Sequence, residues 1–250
     1  MGEFTNRSVR EMLEGDFSSR IHEISSDRCT FDIAAERMQI WNRSGFFSIF
    51  NAGTFDLLTI NHIVGLAECR TLGAMAVLGI NNIETERQMR SVHEVASSDV
   101  IRLMITLDTN RALEQSKSRR PEKGGAPKPT MDWSTRAAML ALQSIPTPDY
   151  FSRRSAVDFI TRHGPDCCEV CDPSMCTNED NALMTVELQP KMVIVNAASI
   201  ETVTDIEHYM KEGLLPNTEV VLIKEEDNQY HDPILKGPVK TTTIIERIRS

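Results

Sequence analysis

No stretch of this sequence approaches the roughly 18 apolar residues of a membrane-spanning helix, which argues against an integral membrane protein. Aromatic residues make up only 6% of the chain, and positive charge is short: 27 Lys and Arg stand against 36 Asp and Glu, a net charge of −9. A nucleic-acid groove neutralises phosphates with clustered cations and stacks bases on aromatic rings, so both shortages disfavour a DNA or RNA partner. The amino-terminal stretch carries Glu3, Glu11 and Glu14 and lacks the basic-then-apolar layout of a signal peptide, so the expectation is a cytoplasmic protein with no membrane partner. Compositional extremes are missing too. With 40% hydrophobic and 25% charged residues over 250 positions, the chain is of ordinary globular composition and long enough for one large core.

Cysteine is sparse and unevenly placed. Of six, Cys29 and Cys69 stand alone, whereas Cys167, Cys168, Cys171 and Cys176 fall in one short segment just after His163. Without a secretion signal, thiols or metal ligands are expected rather than a disulfide framework. The CxxC spacing of Cys168 and Cys171 lets two sulfurs share one ion, and His163 with the four clustered cysteines offers enough donors for one tetrahedral structural Zn2+. A redox dithiol or plain surface thiols are the alternatives.

Periodicity sets the fold class. Residues 46–50 are a short apolar run bounded by Gly45, Asn51 and Gly53, as a buried parallel strand would be. A glycine-containing loop follows, then a helix starting near Asn61 or His62. Residues 75–80 are open to a strand reading, 83–96 read as a polar helix and 100–107 as the second strand. Residues 117–129 are basic and rich in glycine and proline, as a functional loop would be. Residues 133–143 and 157–163 read as helices, 192–196 and 220–223 as strands, 200–211 as a helix between them, and 242–249 as a closing helix. This alternation predicts an α/β, Rossmann-like parallel sheet flanked by helices, with ligands beyond the carboxyl ends of the strands. The expected organisation is a helical extension over 1–45 and one domain over 46–250, holding a Cys-rich insert at 164–187.

The most informative run is Asn51, Ala52, Gly53, Thr54, Phe55 and Asp56, followed by Leu57-Leu58-Thr59-Ile60-Asn61-His62. Gly53 lets backbone approach a ligand, and Thr59 and His62, three apart at a helix start, can address one phosphate. Taken alone, His62 capping the helix and Thr59 closing the turn would explain both residues as well.

This run resembles the glycine-threonine-phenylalanine-aspartate segment and HxGH signature of the cytidylyltransferase-like nucleotidyltransferases. Thr59 matches the first signature position, where the family has His or Thr, and His62 the last; Asn61 stands where the family has Gly. Asp108-Thr109-Asn110 through Lys117 resembles the segment ending in the family's lysine, and Arg120, Arg136 and the helix around Arg136 resemble the stretch after that lysine. Lys240-Thr241-Thr242-Thr243 resembles the family's isoleucine-serine-threonine-threonine motif, with Lys240 in the serine's place. The likeness is greatest to the heptose-phosphate adenylyltransferase and glycerol-phosphate cytidylyltransferase branches, although Val195-Asn196-Ala197 replaces a lysine-glycine-glycine sequence of the former.

The resemblance implies an enzyme that transfers CMP or AMP from CTP or ATP to a small phosphorylated or phosphonate substrate and releases pyrophosphate. It implies Thr59, His62 and Lys117 as catalytic groups, Asn51 to Asp56 with Thr241 and Thr242 as nucleotide-binding, and Arg120 and Arg136 as substrate-binding. Mg2+ is implied with the NTP, and a homodimer with residues 1–45 and 73–98 as interface pieces. The departures at Asn61 and Lys240 leave an alternative, a nucleotide-binding regulator or scaffold without turnover.

Overall fold

The computed structural model describes residues 30–56, 58–113, 131–143, 156–163, 181–196, 200–223, 231–232 and 237–238. Helix α1 (Thr30–Arg43) leads into β1 (Phe47–Gly53), α2 (Ile60–Leu78), α3 (Glu86–Ala96) and β2 (Ile101–Asp108). Then come α4 (Trp133–Ala141), β3 (Phe159–His163), α5 (Asn181–Leu188), β4 (Met192–Asn196), α6 (Ile200–Lys211) and β5 (Glu219–Ile223). The five strands form one parallel sheet in the order β3-β2-β1-β4-β5, and a two-residue antiparallel pair, β6 (His231–Asp232) with β7 (Gly237–Pro238), lies outside it. The direction of winding reverses beside β1, so the carboxyl end of β1 opens at the topological switch point where such sheets bind ligands.

Alternation within each strand feeds two cores. Ile101, Leu103, Ile105 and Leu107 of β2 point to one face with Ile49, Ile160 and Ile194, and are covered by Leu66 and Cys69 of α2 and by Trp133, Ala137 and Leu140 of α4. Met104, Phe50, Phe159 and Val193 point to the other, under α1, α5 and α6. Burial on both faces is why these strands read as nearly continuous apolar runs. A third small cluster, Ala74 with Val92 and Ala96, fastens α3 to α2.

One buried charge fixes where α2 sits. Arg70 is fully buried; its Nε donates to the Ala96 carbonyl at 2.8 Å, and a terminal nitrogen donates to the Ile101 carbonyl at 3.0 Å. Its other terminal nitrogen bonds Asp158 Oδ2 at 2.8 Å, an oxygen that also accepts from the Leu103 N–H at 2.9 Å. A guanidinium taken out of water needs such partners. The consequence is positional: α2 is anchored to the amino ends of β2 and β3, two turns downstream of His62.

Three sequence expectations change. The segment 157–163 holds strand β3 (Phe159–His163) and no helix, because Ile160 faces one core and Phe159 the other, a period of two that Arg162 lying over the Trp133 ring extends. Residues 75–80 are not a strand. They are the end of α2, closed by Gly79 at φ 65°, with the Ile80 N–H returning to the Met75 carbonyl at 2.9 Å. The third concerns 164–187, whose last part belongs to the core: α5 begins at Asn181 and buries Ala182, Met184 and Leu188. At the other end, Ala34, Met38 and Trp41 of α1 are buried in the same cluster, which makes residues 30–43 a layer of the main core. The helix expected over 242–249 lies outside the described residues.

Candidate active site

The loop from β1 to α2 brings the informative run to the carboxyl edge of the sheet. Gly53, the last residue of β1, leaves room for the Phe55 ring: a Cβ there would come within 2.6 Å of its Cε2. Phe55 itself has a φ of 44°, a left-handed conformation that costs a non-glycine residue about 1 kcal/mol. That turn folds its ring over Gly53 and against the His62 imidazole, with centroids 5.1 Å apart. Phe55 thereby helps set the face that His62 presents.

Thr59 is the residue before α2, in extended conformation, and its backbone N–H donates to His62 Nδ1 at 3.0 Å. The Thr59 hydroxyl lies 3.2 Å from the same nitrogen. Since an amide N–H only donates, Nδ1 is the acceptor, and the neutral ring carries its proton on Nε2. The imidazole is therefore a hydrogen-bond donor at its outer nitrogen, at a helix start where first-turn amides and the helix dipole favour an anion.

His62 and Asn61 line a cavity of about 260 Å³ with Asn51, Ala52, Gly53, Thr54 and Phe55. Its deeper wall is Gly65, Leu66 and Cys69 of α2 and Ile223 at the end of β5, four residues absent from the sequence expectation. A signal for three of them was present: Gly65, Leu66 and Cys69 follow His62 at i+3, i+4 and i+7, the spacing of one helix face. Asn51 Nδ2 contacts Cys69 Sγ at 3.4 Å, and burial pushes that thiol from 9.0 up to about 12, so it stays neutral.

A second layer holds the loop from outside. Arg136 of α4 is fully buried and donates to the Thr54 carbonyl at 2.7 Å, the Asp108 carbonyl at 2.7 Å and Asn110 Oδ1 at 3.1 Å. The Thr54 hydroxyl bonds Asp108 Oδ2 at 3.0 Å, and Asp56, also buried, accepts from the Met131 N–H at 3.2 Å. So engaged, Arg136 braces the β1–α2 loop against the end of β2, and the substrate-facing role expected of it finds no support among these contacts. Asp56 likewise turns toward the segment before α4 and is not among the residues lining the cavity.

Of the expected site residues, Asn51 to Phe55, Thr59 and His62 come together here. Lys117, Arg120, Thr241, Thr242, Cys167, Cys168, Cys171 and Cys176 lie outside the described residues, and of His163 only the backbone is described, paired with Asp108 at the end of β3. Among the described residues no group of three or more His, Cys, Asp or Glu side chains could hold a metal ion, and no helix is long and apolar enough to cross a membrane.

No family model matches the chain. It is 28% identical over 102 residues to the bifunctional protein HldE of Syntrophotalea carbinolica, a match covering 35% of this chain and 21% of that protein. The chain thus aligns with about a fifth of that relative's length. Together with the fold, this similarity supports the nucleotidyltransferase superfamily and singles out no branch of it. A solved structure, pantoate-beta-alanine ligase from Francisella tularensis complexed with beta-gamma ATP and beta-alanine, matches with a TM-score of 0.43 at 9% identity, over 92% of this chain and 76% of that one. A likeness that faint says nothing about the site.

Proposed function

We propose that this protein is a nucleotidyltransferase that moves CMP or AMP from an NTP to a small phosphorylated or phosphonate acceptor. The observation that supports this best is His62, which lines a cavity at the switch point of the sheet while the Thr59 N–H holds its Nδ1 at the start of α2. An acceptor oxygen attacks the α-phosphorus, a new P–O bond forms, and the bond to the β-phosphate breaks, so that pyrophosphate leaves with the electron pair. His62 Nε2–H donates to a non-bridging α-phosphate oxygen as charge builds there, and the helix start adds its dipole. Lys117, Arg120, Thr241 and Thr242 complete the phosphate contacts in this reading. A Mg2+ ion accompanying the triphosphate would be held largely by phosphate oxygens and would neutralise charge on the departing pyrophosphate. His163 with Cys167, Cys168, Cys171 and Cys176 would supply the donors for a structural Zn2+, which metal analysis of the purified protein tests directly.

The deciding experiment is a pyrophosphate-release screen of CTP and ATP against sugar phosphates, polyol phosphates and phosphonates. A productive pair should lose about a hundredfold in kcat on His62→Ala, the effect of removing one transition-state donor. Asn61 favours a second reading, since it lines the cavity where the resembling family has glycine. If nucleotide binds and no acceptor releases pyrophosphate, the chain is a nucleotide-binding regulator.

A further inference from the structure

Three glycines sit in or at the end of α2, and two have a visible reason. A Cβ on Gly73 would come within 2.5 Å of Cδ1 of Ile49, and Gly79 takes the left-handed φ that ends the helix. Gly65 has neither: its φ is not positive, and among the described residues a Cβ there would meet nothing within 4 Å. Glycine inside a helix costs about 0.5–1 kcal/mol relative to alanine, so the fold alone would favour a side chain at this position. The space a side chain would fill is the cavity, which Gly65 lines one turn beyond His62.

The chemistry of that part of the wall is uncharged. Among the described residues no Asp, Glu, Lys or Arg lines the cavity, and beyond His62 its wall includes Leu66, Cys69 and Ile223, with the Asn51 amide beside the thiol. Phosphates belong at the helix start, where donors gather; a neutral ring system belongs deeper. We infer that Gly65 is left bare so that the nucleoside part of the triphosphate lies against α2 one turn beyond His62, which makes residue 65 a determinant of nucleotide binding. This rests on the nucleotide-transfer reading above and specifies how that site seats its nucleotide.

Gly65→Ala and Gly65→Leu in the full chain test it by urea unfolding and by calorimetric titration with ATP, CTP and inorganic tripolyphosphate, which has no nucleoside. Gly65→Ala should unfold at a slightly higher urea concentration than the wild type and bind nucleotide more weakly. Gly65→Leu should weaken nucleotide binding about tenfold or more, and leave tripolyphosphate binding unchanged. Should leucine unfold the chain, the alanine variant carries the same comparison. Nucleotide binding that is unchanged in folded variants, or tripolyphosphate binding lost in parallel, overturns the inference alone. A wild-type protein that binds neither ATP nor CTP overturns both this inference and the function it rests on.

Discussion

Arg136→Met tests whether the β1–α2 loop is held from behind. Methionine keeps an unbranched stem in α4 and removes a guanidinium that serves the Thr54 carbonyl, the Asp108 carbonyl and Asn110 Oδ1. Hydrogen bonds from a charged donor contribute about 1.5–3 kcal/mol each. The sum overstates the loss, because a buried charge carries a desolvation penalty and the Nε of Arg136 has no partner. Burial indeed pushes this guanidinium below its ordinary value, while the carboxylates of Asp108, Asp56 and Asp132 pull it back. The net expectation is about 3 kcal/mol, at the lower end of what removing one member of a buried charged arrangement costs. With a urea m-value of about 3 kcal/mol/M, the unfolding midpoint should fall by about 1 M with m unchanged. Nucleotide affinity should fall as well, since the Thr54 carbonyl is released next to Gly53 and Phe55. Arg136→Lys, which reaches one carbonyl at a time, should lie between the two. An unchanged midpoint in the methionine variant refutes the brace.

Two further expectations come from local chemistry. Cys69 should resist iodoacetamide in the native protein at pH 8 and react on unfolding, read by peptide mass spectrometry; its folded value is raised from 9.0 to about 12, so its contribution to stability is complete below pH 9 and lost as pH climbs toward 12. Asp132→Ala should destabilise by about 1 kcal/mol, because Oδ1 caps α4 by accepting from the Thr135 N–H at 2.7 Å. That bond, foremost, holds the carboxyl below its ordinary 3.8, so the capping contribution is present above that pH and fades as pH falls through the lower folded value; urea midpoints in acid should converge for the two proteins.

What the sequence made legible was local. β1, its loop and the start of α2 were readable because the apolar run, Gly53 and the Thr59-to-His62 spacing all lie within 16 residues of one another, and local geometry alone joins them. Strand β3 was misread because Val157, Phe159 and Ile160 fit a helical stripe as well as a strand, and only pairing of Met104 with Phe159 and Thr106 with Thr161 resolves the choice. The task of Arg136 was invisible for a different reason. An arginine in a helix that resembles a substrate-binding stretch reads as a ligand contact until the sheet brings residues 54 and 108, which are distant in sequence, to its two terminal nitrogens.

Asn61 shows how the same distinction bears on activity. From the sequence, a side chain in place of the signature glycine raises two separate concerns: that the backbone needs a conformation only glycine adopts, or that the ligand needs the room. The first does not arise, since Asn61 is a regular residue in the first turn of α2 and the positive φ of this loop belongs to Phe55. Only the second remains, because Asn61 lines the cavity together with His62. Glycine at residue 61 should then admit a larger acceptor or a closer triphosphate without reshaping the loop, while glycine at residue 65 already keeps the deeper wall open. On the seating inferred above, the ligand is narrow beside Asn61 and broader beside Gly65.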